Sequence, residues 1–254
     1  MLLNPDIIIN LISLDHNQSE TFPTKVSNIN VLPTWTLLDH FTRKGLKKYI
    51  NFSSFQVYGE INKSIVKSNC TPNPKNKYAL SHYLSEIIVN YYNENTMAEC
   101  INIRLSNSFG APVFNTNNCW WLVVNDLVKS AYHNKEVILL SDGTPQRDFI
   151  DLYDVCNAIE VVINSKLDIH TNTFNLASGK TFAVYEIAKL IKELYFLIYK
   201  KEIPIKFNNQ KNKYNESIKK YRVDISELKN LGYTPKNNYK KSIKELFEYF
   251  DQSI

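Results

Sequence analysis

Asp6-Ile-Ile-Ile-Asn-Leu-Ile12 is a short, continuous apolar run, rich in β-branched residues and preceded by Asn4-Pro5. A run of that length without polar alternation is expected to be a strand buried on both faces, as in a parallel sheet. Working outward, helical spacing of Trp35, Leu37, Leu38 and Phe41 predicts a helix over 31–43. Lys47-Lys-Tyr-Ile-Asn-Phe-Ser-Ser54 predicts the next strand. A helix is predicted from about Tyr78 to Asn93, and a strand at Cys100-Ile-Asn-Ile-Arg-Leu105. Strand, helix, strand, helix, strand implies an α/β fold on a parallel sheet.

Beyond Gly110 the rhythm loosens. Helices are predicted over 120–132, 155–163, 184–199 and 242–250, and strands at 137–140, 173–176 and 203–207. A turn is expected at Gly143-Thr-Pro145 and an exposed polar loop over 210–220. No internal repeat or low-complexity linker divides the chain, so two interleaved parts are expected.

The 254 residues are enough for a sizeable core, and 44% hydrophobic with 22% charged residues is ordinary globular composition. Thirty basic against 25 acidic residues give a net +5, which favours anionic ligands. The lysines recur throughout the last third, which reads as a solvated surface and not as a nucleic-acid patch. Cys70, Cys100, Cys119 and Cys156 form no CxxC pair and no zinc spacing, so reduced thiols in a cytoplasmic protein are expected and no metal site is. No apolar run approaches the roughly 20 residues that span a bilayer. The N-terminus lacks a basic stretch before its apolar run, so neither a membrane partner nor a signal peptide is expected.

The chemistry-bearing residues lie at the predicted strand ends. Ser53-Ser54 ends a buried strand, beyond which ligands bind in parallel α/β sheets. Tyr78 opens the following helix, and His82 stands four residues on, on the same face. Each of these alone is a weak signal. In order, FSSFQVYG (52–59), YALSHYLSE (78–86), RLSNSFG (104–110), GTPQRDFIDLYDV (143–155), FNLASGK (174–180) and LGYTP (231–235) form a specific set. They resemble the extended short-chain dehydrogenase/reductase family, and within it the nucleotide-sugar epimerases and dehydratases. The resemblance runs from Asn4 to about Phe250.

The resemblance implies a Rossmann-like dinucleotide-binding part over about 1–110 and a mainly substrate-binding lobe over about 111–254, interleaved in one unit. It implies NAD or NADP as cofactor, a nucleotide sugar as substrate, and a place in carbohydrate biosynthesis. Ser54 would hydrogen-bond the sugar oxygen, and Tyr78 would be the general acid/base. Asn107, with Arg104 before it, would contact the nucleotide-phosphate side. Arg147 would grip the pyrophosphate with its planar, permanently charged fork; a local ion pair with Asp148 is the plainer reading of that residue. The family's N-x-G-T is echoed at Asn30-Val-Leu-Pro-Thr34, a cofactor-side contact. The absence of an Asp-Glu pair at Phe55-Gln56 argues against 4,6-dehydration.

Two departures shape the expectation. The family's lysine, which binds the nicotinamide ribose and lowers the tyrosine pKa, is His82 here. No G-x-x-G-x-x-G occurs in the chain, and its opening resembles the family's fourth strand, with Asn10-Leu-Ile-Ser13 for H-L-A-A. The expected fold is therefore a Rossmann-like sheet reduced at its N-terminal side, with an exposed edge at 6–11 that an oligomer could hide. The expected function is nucleotide-sugar epimerase/reductase-like with impaired chemistry. The alternative is a non-catalytic nucleotide-sugar-binding or partner-regulating protein.

Overall fold

A computed structural model describes residues 4–114, 119–166, 172–208, 211–215 and 220–252. Strand β1 (Ile7–Asn10) is followed by the short helices α1 (His16–Ser19) and α2 (Pro23–Val26), and a five-residue π turn (Ser27–Val31) feeds α3 (Leu32–Thr42). Next come β2 (Lys48–Ser54), a 3-10 turn (Phe55–Tyr58), β3 (Ile65–Val66), α4 (Lys77–Asn95) and β4 (Glu99–Leu105). The chain continues through β5 (Asn107–Phe109), α5 (Val123–Asn134), β6 (Val137–Leu139), β7 (Gln146–Asp151) and α6 (Leu152–Asn164). Then follow β8 (Thr173–Leu176), β9 (Thr181–Ala183), α7 (Val184–Tyr199), β10 (Ile205–Phe207), β11 (Arg222–Val223), α8 (Ser226–Asn230) and α9 (Tyr239–Gln252).

These elements fall into two compact units. The first comprises Met1–Ser106, Ala158–Leu176 and Asp224–Thr234, and the second Asn107–Asn157, Ala177–Val223 and Pro235–Ile254. The first is built on a parallel sheet in the order β1-β2-β4-β8. Parallel neighbours need a crossover, and α4 supplies it between β2 and β4. Its Val89 shares a fully buried cluster with Tyr49 of β2, Cys100 of β4 and Leu38 of α3. Asn76 caps α4, its Oδ1 accepting the Ala79 amide at 2.7 Å. At the other end of the sheet, Lys48 is only 6% exposed. Its Nζ donates to the carbonyls of Val162, Ile163 and Ser165 at 2.6–3.0 Å, satisfying the open C-terminus of α6.

The opening strand departs from the burial on both faces that its apolar run predicts, and agrees with the exposed edge expected at 6–11. Ile7 and Ile9 are 37% and 40% exposed, and Ile8 is half-buried. β1 is the edge strand of the described sheet, and Ile7 and Ile9, two residues apart, share the face that is left partly exposed. Apolar continuity alone cannot separate a central strand from an uncovered edge strand. Gly59 ends the 3-10 turn at φ +68°, and a Cβ there would fall 2.2 Å from the Asn73 carbonyl oxygen. Gly59→Ala should therefore lower stability by more than the ~1 kcal/mol typical of a glycine position. A urea midpoint unchanged from wild type would contradict that.

The second unit places β5 parallel to β7 and β7 antiparallel to β9, with β6 and β10 as a separate parallel pair. Helices α5, α7 and α9 enclose its core around Phe109, Phe149, Ile191 and Phe247. The predicted polar loop lies partly outside the described residues.

Candidate functional site

In the first unit, Ser54 ends β2 and caps the 3-10 turn, its Oγ accepting the Gln56 amide at 3.2 Å. Tyr78, in the first turn of α4, is half-buried. Burial raises its phenol pKa, a hydrogen bond with Ser54 draws it down, and the Asp15 carboxylate adds to the rise. The strand end and the helix start thus bring together the two groups that the sequence singles out. A serine–tyrosine pair of this kind can hold a substrate hydroxyl and exchange its proton.

His82 is 7% exposed. Its Nε2 lies 3.3 Å from Ser13 Oγ, and its ring meets the Tyr78 ring edge-on at 4.5 Å. His16, on α1, also presents its ring edge-on to Tyr78, at 6.0 Å. Burial pulls the His82 pKa down to about 4, only partly opposed by a hydrogen bond with the Phe52 backbone. At neutral pH this side chain is an uncharged imidazole and supplies no cation to Tyr78.

That shift has a measurable consequence. Between the unfolded value near 6.5 and the folded value of about 4, the unfolded chain binds a proton that the folded chain does not. The stability due to neutral His82 is intact above pH 6.5 and lost as the pH falls towards 4, about 3 kcal/mol in all. Urea unfolding at pH 7 and pH 4.5 should show wild type losing more stability than His82→Gln. Equal losses would show that another group is responsible.

Asn30 is 5% exposed. Its Oδ1 accepts the Leu14 amide at 2.7 Å, and its Nδ2 donates to Ser81 Oγ at 2.9 Å and Ser19 Oγ at 3.3 Å. Its amide is thus engaged in tying the loop after β1 to α4. Thr34, the last residue of the same motif, accepts from Asn10 Nδ2 at 3.0 Å.

In the second unit, Asn107 opens β5 and its Nδ2 donates to the Asp148 carbonyl at 3.0 Å. Arg147 precedes Asp148 on β7, and neighbouring strand residues face opposite ways. Asp148 turns inward, fully buried, with Oδ1 accepting the Ser178 amide at 2.8 Å. Arg147 is exposed, with Nη1 donating to the Gln146 carbonyl at 2.9 Å. It presents a fixed positive charge at the surface, suited to a phosphate.

Sequence reasoning missed a buried polar cluster behind Tyr78. Glu86, on α4, accepts Ser53 Oγ at 2.5 Å, Arg104 Nε at 2.9 Å and Arg104 Nη2 at 2.7 Å. The signal was present: Arg104 is a charge inside the apolar strand 99–105, and Glu86 sits beside Ile87, Ile88 and Val89. Buried charges need partners, and each supplies the other's.

The family model described as the NAD dependent epimerase/dehydratase family matches residues 2–177. The chain belongs to that family. UDP-glucose 4-epimerase of Mycoplasma genitalium is 28% identical over 211 residues, covering 76% of this chain and 62% of that protein. The UDP-N-acetylglucosamine 4-epimerase of Methanobrevibacter ruminantium, solved with UDP-N-acetylmuramic acid, superposes with a TM-score of 0.84 at 21% identity, over 98% of this chain and 77% of that one. The UDP-glucuronic acid 4-epimerase of Bacillus cereus, solved with UDP-glucuronic acid and NAD, gives 0.80 at 20% identity, over 98% and 76%. The fold is the α/β, Rossmann-like fold of these epimerases.

Family membership raises the question of a nicotinamide cofactor. The six glycines of the chain, at 45, 59, 110, 143, 179 and 232, form no glycine-rich loop between a strand and a helix, so the described residues offer no close-approach backbone cradle for a pyrophosphate. His82 is neutral and beside Ser13, and the Asn30 amide is taken by protein groups. The described residues do not fit the whole dinucleotide. Among them, no cluster of His, Cys, Asp or Glu could hold a metal ion, and no helix is long and apolar enough to cross a membrane.

Proposed function

We propose that this chain binds a nucleotide sugar through an epimerase-like site whose redox chemistry is impaired. The observation that carries this reading is the Ser54–Tyr78 pair at the end of a parallel strand. Tyr78 would exchange a proton with a sugar hydroxyl, with Ser54 orienting that oxygen. In the second unit, Arg147 would neutralise the pyrophosphate and Asn107 would steady the strand that carries it. Carbohydrate biosynthesis in the cytoplasm is the setting that such a substrate implies. The test is calorimetric titration with UDP-, dTDP- and GDP-sugars; binding of none of them would remove the proposal.

A second reading is favoured by the neutral His82 and the committed Asn30: a non-catalytic nucleotide-sugar-binding or partner-regulating protein. The two separate on the cofactor. NAD(H) and NADP(H) are expected to bind this chain more weakly than micromolar. His82→Lys alone should not restore turnover, because it adds a cation but no pyrophosphate cradle. Micromolar cofactor binding to the wild-type chain would decide for the enzyme.

Self-association is also part of the proposal. Leu80, Leu84, Ile87 and Tyr91 are 42–60% exposed on α4, at the 4-3-4 spacing of a helix-pairing seam. The four residues carry no charge, and a second copy of this chain is the occupant proposed for them. Light scattering should give a dimer for wild type and a monomer for Leu84→Glu/Ile87→Glu. A wild-type monomer at tens of micromolar would refute the dimer.

A further inference from the structure

The buried cluster behind Tyr78 lies in the first unit, and its geometry goes beyond holding the sheet together. Glu86 is 1% exposed and Arg104 5%. The carboxylate receives two nearly parallel bonds from the guanidinium and a third from Ser53, the residue before Ser54. Arg104 is itself fixed from other directions. Its Nη1 donates to the Ser68 carbonyl at 2.8 Å, and its guanidinium lies 4.8 Å from the centre of the Tyr58 ring. Tyr58 donates in turn to Asn175 Oδ1 on β8 at 2.6 Å. The fork is therefore referenced to β2, β4 and β8 together.

Tyr78, His82 and Glu86 follow one another at four-residue intervals along α4, with Glu86 about 12 Å along the axis from Tyr78. A helix moves as a rod over that length. Turning α4 by about ten degrees would carry a tyrosine hydroxyl, about 9 Å from the axis, through roughly 1.5 Å, enough to break a hydrogen bond. A bidentate ion pair is direction-sensitive in a way that apolar contacts are not, and so resists that turn.

We propose that Glu86 and Arg104 are positioning residues, a latch that sets the rotation of α4 and thereby the place of Tyr78 beside Ser54. The inference rests on Tyr78 and Ser54 being the reacting pair, but its test reads geometry alone and stands whether or not a sugar nucleotide binds.

The experiment is NMR of the full chain labelled with tyrosine carrying ¹³C at Cζ. The Tyr78 resonance is identified by its loss in Tyr78→Phe, and Ser54→Ala gives its position without the partner. In Glu86→Leu/Arg104→Met, where no charge is left stranded, the resonance is expected to move towards the Ser54→Ala position. In Arg104→Lys, which keeps the charge and loses the fork, a smaller displacement in the same direction is expected. Lys48→Met removes an equally buried cation from the far end of the same sheet, and should lower stability while leaving the resonance in place. A Tyr78 resonance unmoved in Arg104→Lys overturns the latch if the double variant folds with it unmoved too, or if the double variant does not fold. Movement as large in Lys48→Met as in the latch variants also overturns it, since any loss of stability would then suffice.

Discussion

Arg104→Ala is expected to cost about 3–5 kcal/mol of stability, the largest single effect in this chain. The alanine leaves Glu86 charged, 1% exposed, and with Ser53 as its remaining hydrogen-bond donor among those described. Burial works against the Arg104 charge, but Glu86 more than offsets it, and the guanidinium pKa is raised above its ordinary value. The cost measures the penalty of a stranded charge more than the worth of the pair, so Glu86→Leu/Arg104→Met should be far milder than either single alanine substitution. Urea unfolding of the three variants tests this. A double variant as unstable as Arg104→Ala would show that the ion pair itself supplies the stability.

How far the sequence foretold this molecule depends on the range of the interaction. β2, α4 and β4 lie where apolar periodicity predicts them, and α7 spans the predicted 184–199. Those signals are local: seven to nineteen residues with one period. The helix predicted over 31–43 begins at Leu32 but is preceded by a π turn at Ser27–Val31, and no composition rule marks such a turn. The exposure of Ile7 and Ile9 was not legible in the run itself, because burial of an edge strand depends on what lies beside it. The serine–tyrosine pair was readable as two residues of the right type at a strand end and a helix start. The latch was readable only as two charges in need of partners, because Ser53, Glu86 and Arg104 are far apart in sequence and meet only when β2, α4 and β4 assemble.

The same distinction governs the sugar side, where the prediction concerns one exposed charge. Arg147 is exposed on β7 and donates to the carbonyl of its own neighbour, Gln146, at 2.9 Å. Asp148 is held inward by Ser178, and the Asp148 carbonyl is held by Asn107, so the strand beneath Arg147 is fixed at two points. A charged hydrogen bond contributes roughly 1.5–3 kcal/mol, so Arg147→Ala should weaken sugar-nucleotide binding by about ten-fold or more. Lysine should recover only part of that, because a point charge cannot make two parallel bonds to a phosphate. Asn107→Ala should weaken binding less than Arg147→Ala, since it loosens the strand and removes no charge. Because Arg147 is exposed, none of the Arg147 substitutions should shift the urea midpoint appreciably, which separates a binding defect from a folding defect. Titration of wild type, Arg147→Ala and Arg147→Lys with the sugar nucleotide that binds best measures the difference directly. An affinity unchanged in Arg147→Ala would place the pyrophosphate elsewhere.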